Sequence, residues 1–363
     1  MEENAKHISL AAISPYKEKV IEAPTEKRGS AGEWVFWGDR NTYPNYIDDL
    51  CRTTPTLRAV IQGCVDYIVG DDVIALHGLS GRAAGAFDRN GSTARELVER
   101  TAKQALRGGF AWKVTKNEDG TLGELENIPL RFLRSDEDNQ AFWYSEKWGN
   151  GRSNETIRYA RWFPDTQEKE SILFVKLWGD GVYPEPLFAA AVKACETERS
   201  IDDFHLGNIS RGFMGSYLVN FNGGAMPTPQ EQKEVEALFT QKFGGSKNAG
   251  RIMFSWNRDI ASRTTFEKME VSDYGEKYET LSKHCRAQIF TAFRANPNLF
   301  GIATESNGFN SEEYESAFKL FNRTVIQPIQ RRILDAFERV MDEKGVVSIK
   351  PFSMEGETEK TVQ

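Results

Sequence analysis

Between Ala111 and Trp178 strand-like runs follow one another almost without interruption, and this stretch constrains the fold more than any other. Ala111–Leu130 reads as a hairpin with its turn at Glu118 to Gly120. Arg131–Ser135, Gln140–Ser145, Thr156–Phe163 and Ser171–Trp178 follow, joined by polar or glycine-containing connections. Helical periodicity brackets them: Leu57, Val60, Ile61, Cys64, Val65 and Ile68 share one face before a stop at Gly70, and Thr93 to Arg107 repeats the pattern. Helices flanking a largely antiparallel sheet make an α+β layout. Residues up to Gly32 lack periodicity and read as a flexible arm. The fold is therefore expected to start at Trp34, with Trp34, Phe36 and Trp37 in the core and the first helix beginning near Tyr46.

After Tyr183 the texture changes to long helices. Pro186 leads one with Phe188, Ala191, Val192, Cys195, Ile201 and Phe204 on a common face, and Gly212 lies beyond its end. A strand over Ser216–Phe221 ends in the turn Asn222 to Gly224. Thr228 then caps a helix with Pro229 and Glu231 in its first turn and Val235, Leu238, Phe239 and Phe243 as its stripe, until Gly244 and Gly245 stop it. Two strands around a turn at Asn257 and Arg258 follow. Tyr274 to Ala295 is the next long helix, carrying Tyr278, Leu281, Cys285, Ile289, Ala292 and Phe293 and spanning roughly 30 Å. Pro297 and Gly301 break it. Ser311, supported by Glu312 and Glu313, starts a last helix with Phe318, Phe321, Val325, Ile329, Ile333, Phe337 and Val340, kinked at Pro328, before a strand at Val346–Phe352.

A length of 363 residues suits about two domains. Lys and Arg number 46 against 53 Asp and Glu, a net charge of -7, which argues against a surface that coats nucleic acid. Cys51, Cys64, Cys195 and Cys285 form no CxxC pair, and His7, His77, His205 and His284 sit in no metal-binding spacing. GxSxG, Walker and GxGxxG patterns are absent; the glycine-rich run Phe243–Arg251 has a lysine but no following Ser or Thr for a magnesium ion. The pairs Asp202/Asp203 and Glu312/Glu313, and the run Asp136 to Asp138, read as solvated acids. No catalytic residue, metal or cofactor is assigned. The charged amino terminus and the absence of an apolar run of 18 residues give the expectation of a soluble, intracellularly made protein without a membrane span. One electrostatic contrast stands out: between Gly244 and Phe266, Lys247, Arg251, Arg258 and Arg263 face only Asp259.

The order of the pieces after Tyr183 resembles the portal proteins of tailed bacteriophages. The likeness is carried by YPEPLFAAAVKACETERSIDDFHLGNISRGFMGSYLV, by TPQEQKEVEALFTQKF, by GGSKNAGRIMF, by HCRAQIFTAFRANPNLFGI and by EEYESAFKLFNRTVIQPIQRRILDAF, five pieces in the family's order. The resemblance implies a portal-type fold: an α/β wing, two long stem helices, a small β clip, and a kinked C-terminal helix, with the crown short or absent. On this chain it divides residues into an arm (1–32), wing (33–226), stem helix (227–243), clip (244–273), stem helix (274–296), tunnel loop (297–310), wing helix and terminal strand (311–354) and tail (355–363). It implies a ring, expected to be a dodecamer, at the capsid vertex of the virion, assembled in the host cytoplasm. Double-stranded DNA would pass through the channel without sequence specificity. Other implied partners are the major capsid protein or scaffold, the large terminase and a head-completion adaptor. Lys247, Arg251, Arg258 and Arg263 would dock partners at the clip, and Ala303, Thr304, Glu305, Ser306, Asn307, Gly308 and Phe309 would form the channel loop. Two alternatives remain at this point: a phage-encoded metal-dependent nuclease or other enzyme, and another ring-forming head or tail structural protein.

Overall fold

The computed structural model describes residues 22–28, 33–79, 85–148, 155–210, 217–222, 228, 230–231, 233–234, 252–257, 274–302 and 311–353. Its centre is a six-stranded sheet. In chain order the strands are β4 (Gly109–Lys116), β5 (Leu122–Ile128), β6 (Leu133–Ser135), β7 (Ala141–Tyr144), β8 (Ile157–Arg161) and β9 (Glu170–Lys176), in the spatial order β5-β4-β9-β8-β7-β6. All neighbours are antiparallel except β8 and β9. That parallel pair overlaps only at Ala160↔Ser171 and Arg161↔Ile172, so β9 begins beside the end of β8. A short link then suffices where a longer overlap would need a crossover helix.

Two smaller antiparallel pairs frame the sheet: β1 (Glu26–Arg28) with β2 (Val35–Trp37), and β3 (Asp72–Ala75) with β12 (Val347–Lys350). Part of the expected arm is thus ordered. Glu22 accepts hydrogen bonds from the Thr42 hydroxyl at 2.8 Å and from the Thr42 and Arg40 amides at 3.2 Å, and Glu26 accepts from the Val182 and Tyr183 amides at 2.9 and 2.8 Å. These carboxylates satisfy backbone donors far away in the chain, which the local pattern of charge and proline does not disclose. The core reading of the first aromatics holds, since Trp34 and Trp37 are buried and Trp37 stacks on Tyr183 with ring centroids 4.3 Å apart.

Helix α1 (Tyr43–Thr53) starts earlier than expected because Pro44 fits its first turn. Helix α2 (Pro55–Val69) ends at Gly70, whose φ of +67° and close approach to the Lys350 carbonyl leave no room for a Cβ. Helix α3 (Ala94–Ala105) has a reciprocal cap: Glu96 N donates to the Thr93 hydroxyl at 3.3 Å and Thr93 N donates to the Glu96 carboxylate at 2.9 Å. Its buried face bears Leu97, Val98, Thr101 and Ala102, and the Trp112 indole of β4 donates to Thr101 Oγ1 at 2.9 Å. Phe337, from a carboxy-terminal helix, closes the same layer against Trp112 at 4.7 Å and Phe87 at 5.7 Å.

The expected kink at Pro328 has a definite form. Helix α6 (Ser311–Phe321) runs through a π-helical turn at Asn322–Ile326 into α7 (Gln327–Met341). Proline cannot donate to the Thr324 carbonyl four residues back, and that oxygen accepts instead from the Arg294 guanidinium at 3.3 Å.

Candidate functional site

The part of the molecule that leaves the sheet is built on two helices, α4 (Val192–Ser210) and α5 (Tyr274–Ala292), each of 19 residues. They lie antiparallel. Phe188, just ahead of α4, stacks on Phe293, just beyond α5, at 5.7 Å; at the other end Phe204 meets Tyr278 at 5.0 Å. Burial falls along the pair. Phe188, Cys195, Ile289 and Phe293 are buried, whereas Leu206 is 63% exposed and Leu281 39% exposed. Near its root α4 is fixed to the wing by charge and hydrogen bonds: the Thr56 hydroxyl donates to buried Glu198 at 2.7 Å, and Arg199 bridges Asp49 at 3.1 Å and Glu196 at 3.6 Å.

Between the two helices in the chain lies a two-stranded ribbon, β10 (Tyr217–Asn222) with β11 (Ile252–Asn257), paired in parallel from Tyr217↔Ile252 to Asn222↔Asn257. Phe221 stacks on its register partner Trp256 at 4.3 Å. Parallel pairing requires a crossover connection. The intervening chain carries the expected capped helix start: Thr228 N and Oγ1 donate to the Glu231 carboxylate at 2.7 and 2.8 Å, while Glu231 N donates to Thr228 Oγ1 at 3.4 Å. A strand grouped with the wing by sequence and a strand grouped with the clip therefore belong to one ribbon. Among the described residues α5 packs along α4 and, near its carboxy-terminal end, also against α2 and Phe300.

Lys247, Arg251, Arg258 and Arg263 lie outside the described residues, although β11 occupies the chain between Arg251 and Arg258. Ala303, Thr304, Glu305, Ser306, Asn307, Gly308 and Phe309 also lie outside them. The two roots of that loop are described and are tied to α2. Tyr67 OH donates to the Leu299 carbonyl at 2.7 Å, and its ring packs with Phe300 at 6.1 Å on one root and Phe318 at 5.6 Å and Phe321 at 6.0 Å on the other. Burial raises the Tyr67 phenol above its ordinary value, so it remains a neutral donor. Gly63 permits this approach, because a Cβ there would meet the Phe300 ring at 2.6 Å. Sequence reasoning did not single out this aromatic clamp; its only local signal is Tyr67 on an otherwise aliphatic helix stripe.

The described residues offer little for covalent chemistry. All four cysteines are buried thiols, and burial pushes Cys51 up to about 11 and Cys195 up to about 12, far from the thiolate range at neutral pH. Among the described residues, no group of three or more His, Cys, Asp or Glu side chains is arranged to hold a metal ion, and no helix is long and apolar enough to cross a membrane.

The family model for phage portal protein matches residues 89–350. This chain belongs to the phage portal protein family. It is a capsid-vertex portal, and the readings as a nuclease or as another ring-forming head or tail protein are not favoured. The family is a structural one. Two solved structures share the portal chain's fold: the neck of a native gene transfer agent particle computed with twelve-fold symmetry has 19% identity and a TM-score of 0.51, covering 84% of this chain and 82% of that one. The virion of a native gene transfer agent particle has 18% identity and a TM-score of 0.51, covering 84% and 83%. The crystal structure of an HK97 family phage portal protein from Corynebacterium diphtheriae has 12% identity and a TM-score of 0.47, covering 81% and 90%. Comparison with curated proteins found no match.

Proposed function

We propose that this portal protein closes into a ring of twelve copies through which double-stranded DNA enters and leaves the head, and that the ring's narrow end docks the large terminase and later a head-completion adaptor. The antiparallel α4–α5 pair is the observation that carries this reading. The pair is rooted in the wing at Phe188 and Phe293, and Leu206 and Leu281, exposed on it, suit burial against a neighbouring copy. The neck computed with twelve-fold symmetry supports the subunit number. A net charge of -7 suits a conduit, because a strongly basic lining would hold phosphates rather than let them slide.

Within this reading the stem is α4 with α5, and the clip is the ribbon β10–β11 together with the chain between its strands. The stem helix read at 227–243 then becomes the crossover inside the clip. Two observations support this reading: a parallel ribbon needs a connection that crosses back from the end of one strand to the start of the next, which the chain between Asn222 and Ile252 supplies, and α4 packs along α5. The wing meets the major capsid protein or scaffold, and assembly takes place in the host cytoplasm.

Light scattering of the purified chain across a concentration series is expected to give a mass many times the 41.1 kDa of one copy. A monomer at high concentration and moderate salt contradicts the proposal. A second expectation concerns the clip. Combining Arg251→Glu with Arg258→Glu reverses two of the four bases in that stretch and is expected to leave the ring mass unchanged while weakening terminase capture by about tenfold or more, as loss of docking charges costs on the order of 1.4 kcal/mol or above. Unchanged capture in a pull-down with terminase removes these residues from the docking surface.

A further inference from the structure

Two grooves in the wing are rich in basic side chains, and they differ in one respect. In the first, of 570 Å³ between α1, α2 and α3, the cations are largely neutralised by the chain itself. Arg107 and Arg131 both bridge Asp48, at 2.9 and 2.8 Å, Arg52 bridges Asp49 at 2.8 Å, and Lys103 bridges Glu99 at 2.6 Å. The Asp48 pairs tie separate elements together, the other two lie within one helix each, and all four leave little charge for a ligand.

The second groove, of 440 Å³, runs between the sheet and α7. Arg161 closes β8, Lys176 closes β9, and Arg332 and Arg339 stand seven residues apart on α7, so all four line one cleft. Asp335 is the single carboxylate in the lining. Among the described residues none of these four cations makes an ion pair with a carboxylate of this chain. They are held by neutral groups instead. Arg161 donates to the Asn139 carbonyl at 3.2 Å and lies over the Phe163 ring at 5.4 Å; Arg332 donates to the Lys176 carbonyl at 3.2 Å; Arg339 lies over the Trp162 ring at 5.7 Å; Lys176 donates to the Gly181 carbonyl. Backbone acceptors and ring faces orient a guanidinium without cancelling its charge, and a five-donor fork with one or two donors engaged keeps the rest for an oxyanion.

The apolar residues in the lining do not offer an anchor for a protein partner. Phe174, Val175 and Ala336 are 7%, 8% and 1% exposed, so the floor is sealed and the rim is cationic. Protein interfaces draw most of their energy from a few Trp, Tyr or Arg residues that fill fully desolvated pockets, whereas a phosphate backbone is bound by charge and hydrogen bonds in an open, wet groove.

We infer that this groove binds the phosphate backbone of double-stranded DNA, irrespective of sequence. The inference rests on the portal reading for bringing DNA to the molecule, and it adds a holding site on the wing. The cleft suits a site that retains DNA rather than one that lets it slide, because four cations converge on it and Asp335 is the one carboxylate in its lining.

The test uses the full-length assembled protein and a fluorescently labelled short duplex of mixed sequence, titrated by anisotropy from about 50 to about 200 mM salt. Arg332→Glu combined with Arg339→Glu is expected to weaken duplex binding about tenfold or more and to lower the slope of log affinity against log salt by about two. Arg332→Gln with Arg339→Gln is expected to fall between this variant and the wild type. Arg331→Glu with Lys344→Glu changes net charge equally on exposed residues that do not line the groove, and is expected to bind as the wild type does. Wild-type affinity and slope in the Arg332/Arg339 reversal overturn the inference. So does loss of ring formation with unchanged affinity per protomer, which would give the groove to an acidic segment of a second copy. Ring mass is read on the same samples: an intact ring with unaltered DNA binding removes the groove and leaves the portal reading standing, whereas a wild type that never forms a ring removes the portal reading.

Discussion

The Arg134→Ala protein is expected to unfold about 3 to 5 kcal/mol more readily than the wild type, the scale set by leaving buried polar partners unmet. Arg134 on β6 is 0% exposed, and among the described residues it forms no ion pair; Glu22 favours its charge only from a distance. Its guanidinium donates to Asn41 Oδ1, to the Asn41 carbonyl, to the Leu133 carbonyl at 2.6 Å and to the Arg131 carbonyl at 3.2 Å, and it lies over the Trp148 ring at 4.8 Å. Burial pulls its pKa down to about 10, so it remains charged at neutral pH. The bonds fix Asn41 in a left-handed conformation with φ of +59°, and Asn41 Oδ1 in turn accepts from the Trp37 amide at 3.0 Å. One side chain thus joins the β1–β2 corner to the edge of the main sheet. Urea unfolding followed by tryptophan fluorescence measures the effect. Arg134→Met, which fills the space but offers no donors, is expected to recover only the packing share of the loss; a loss below about 1 kcal/mol in the alanine variant would show that the hydrogen bonds contribute little.

Removal of Thr304–Gly308 is expected to leave the ring intact and to reduce DNA-filled heads by about tenfold or more, a cost of about 1.4 kcal/mol at the limiting step. The loop between Pro297 and Ser311 has 13 residues, longer than the about 2 to 8 usual between packed helices, and Glu305 is its only charged side chain. Small, polar and glycine residues suit a segment that meets DNA without gripping it. The Tyr67 clamp on Phe300, Phe318 and Phe321 holds both roots whatever the loop's length, so the deletion should not propagate into the wing. Heads are counted after reconstituted packaging by nuclease protection. Normal filling and retention in the shortened protein would reduce the segment to a linker.

The sequence made the elements legible where burial is one-sided. Leu97, Val98, Thr101 and Ala102 of α3 and Ile329, Ile333 and Phe337 of α7 recur at helical spacing because each helix buries one stripe. Strands β4 and β9 showed as apolar runs because both faces are covered. What stayed hidden depends on partners distant in the chain. Arg134 alternates with Leu133 and Ser135 as a surface residue would, and its burial depends on Asn41, 93 positions earlier. Glu26 looked like an arm residue, but its partners are the amides of Val182 and Tyr183. The pairing of α4 with α5 was missed for a similar reason: periodicity gives each helix a stripe but not the identity of the helix that covers it. The segment between Pro297 and Ser311 stands out in the sequence by its length and composition, whereas the aromatic clamp at its two roots needs the fold.

Two-dimensional class averages from electron microscopy of the purified full-length protein address the central claim most directly. The account predicts closed rings with a central channel, twelve repeating sectors and a narrow end formed by the stem and clip. Single compact particles of one copy's mass at high protein concentration, or open aggregates with no channel, would contradict it.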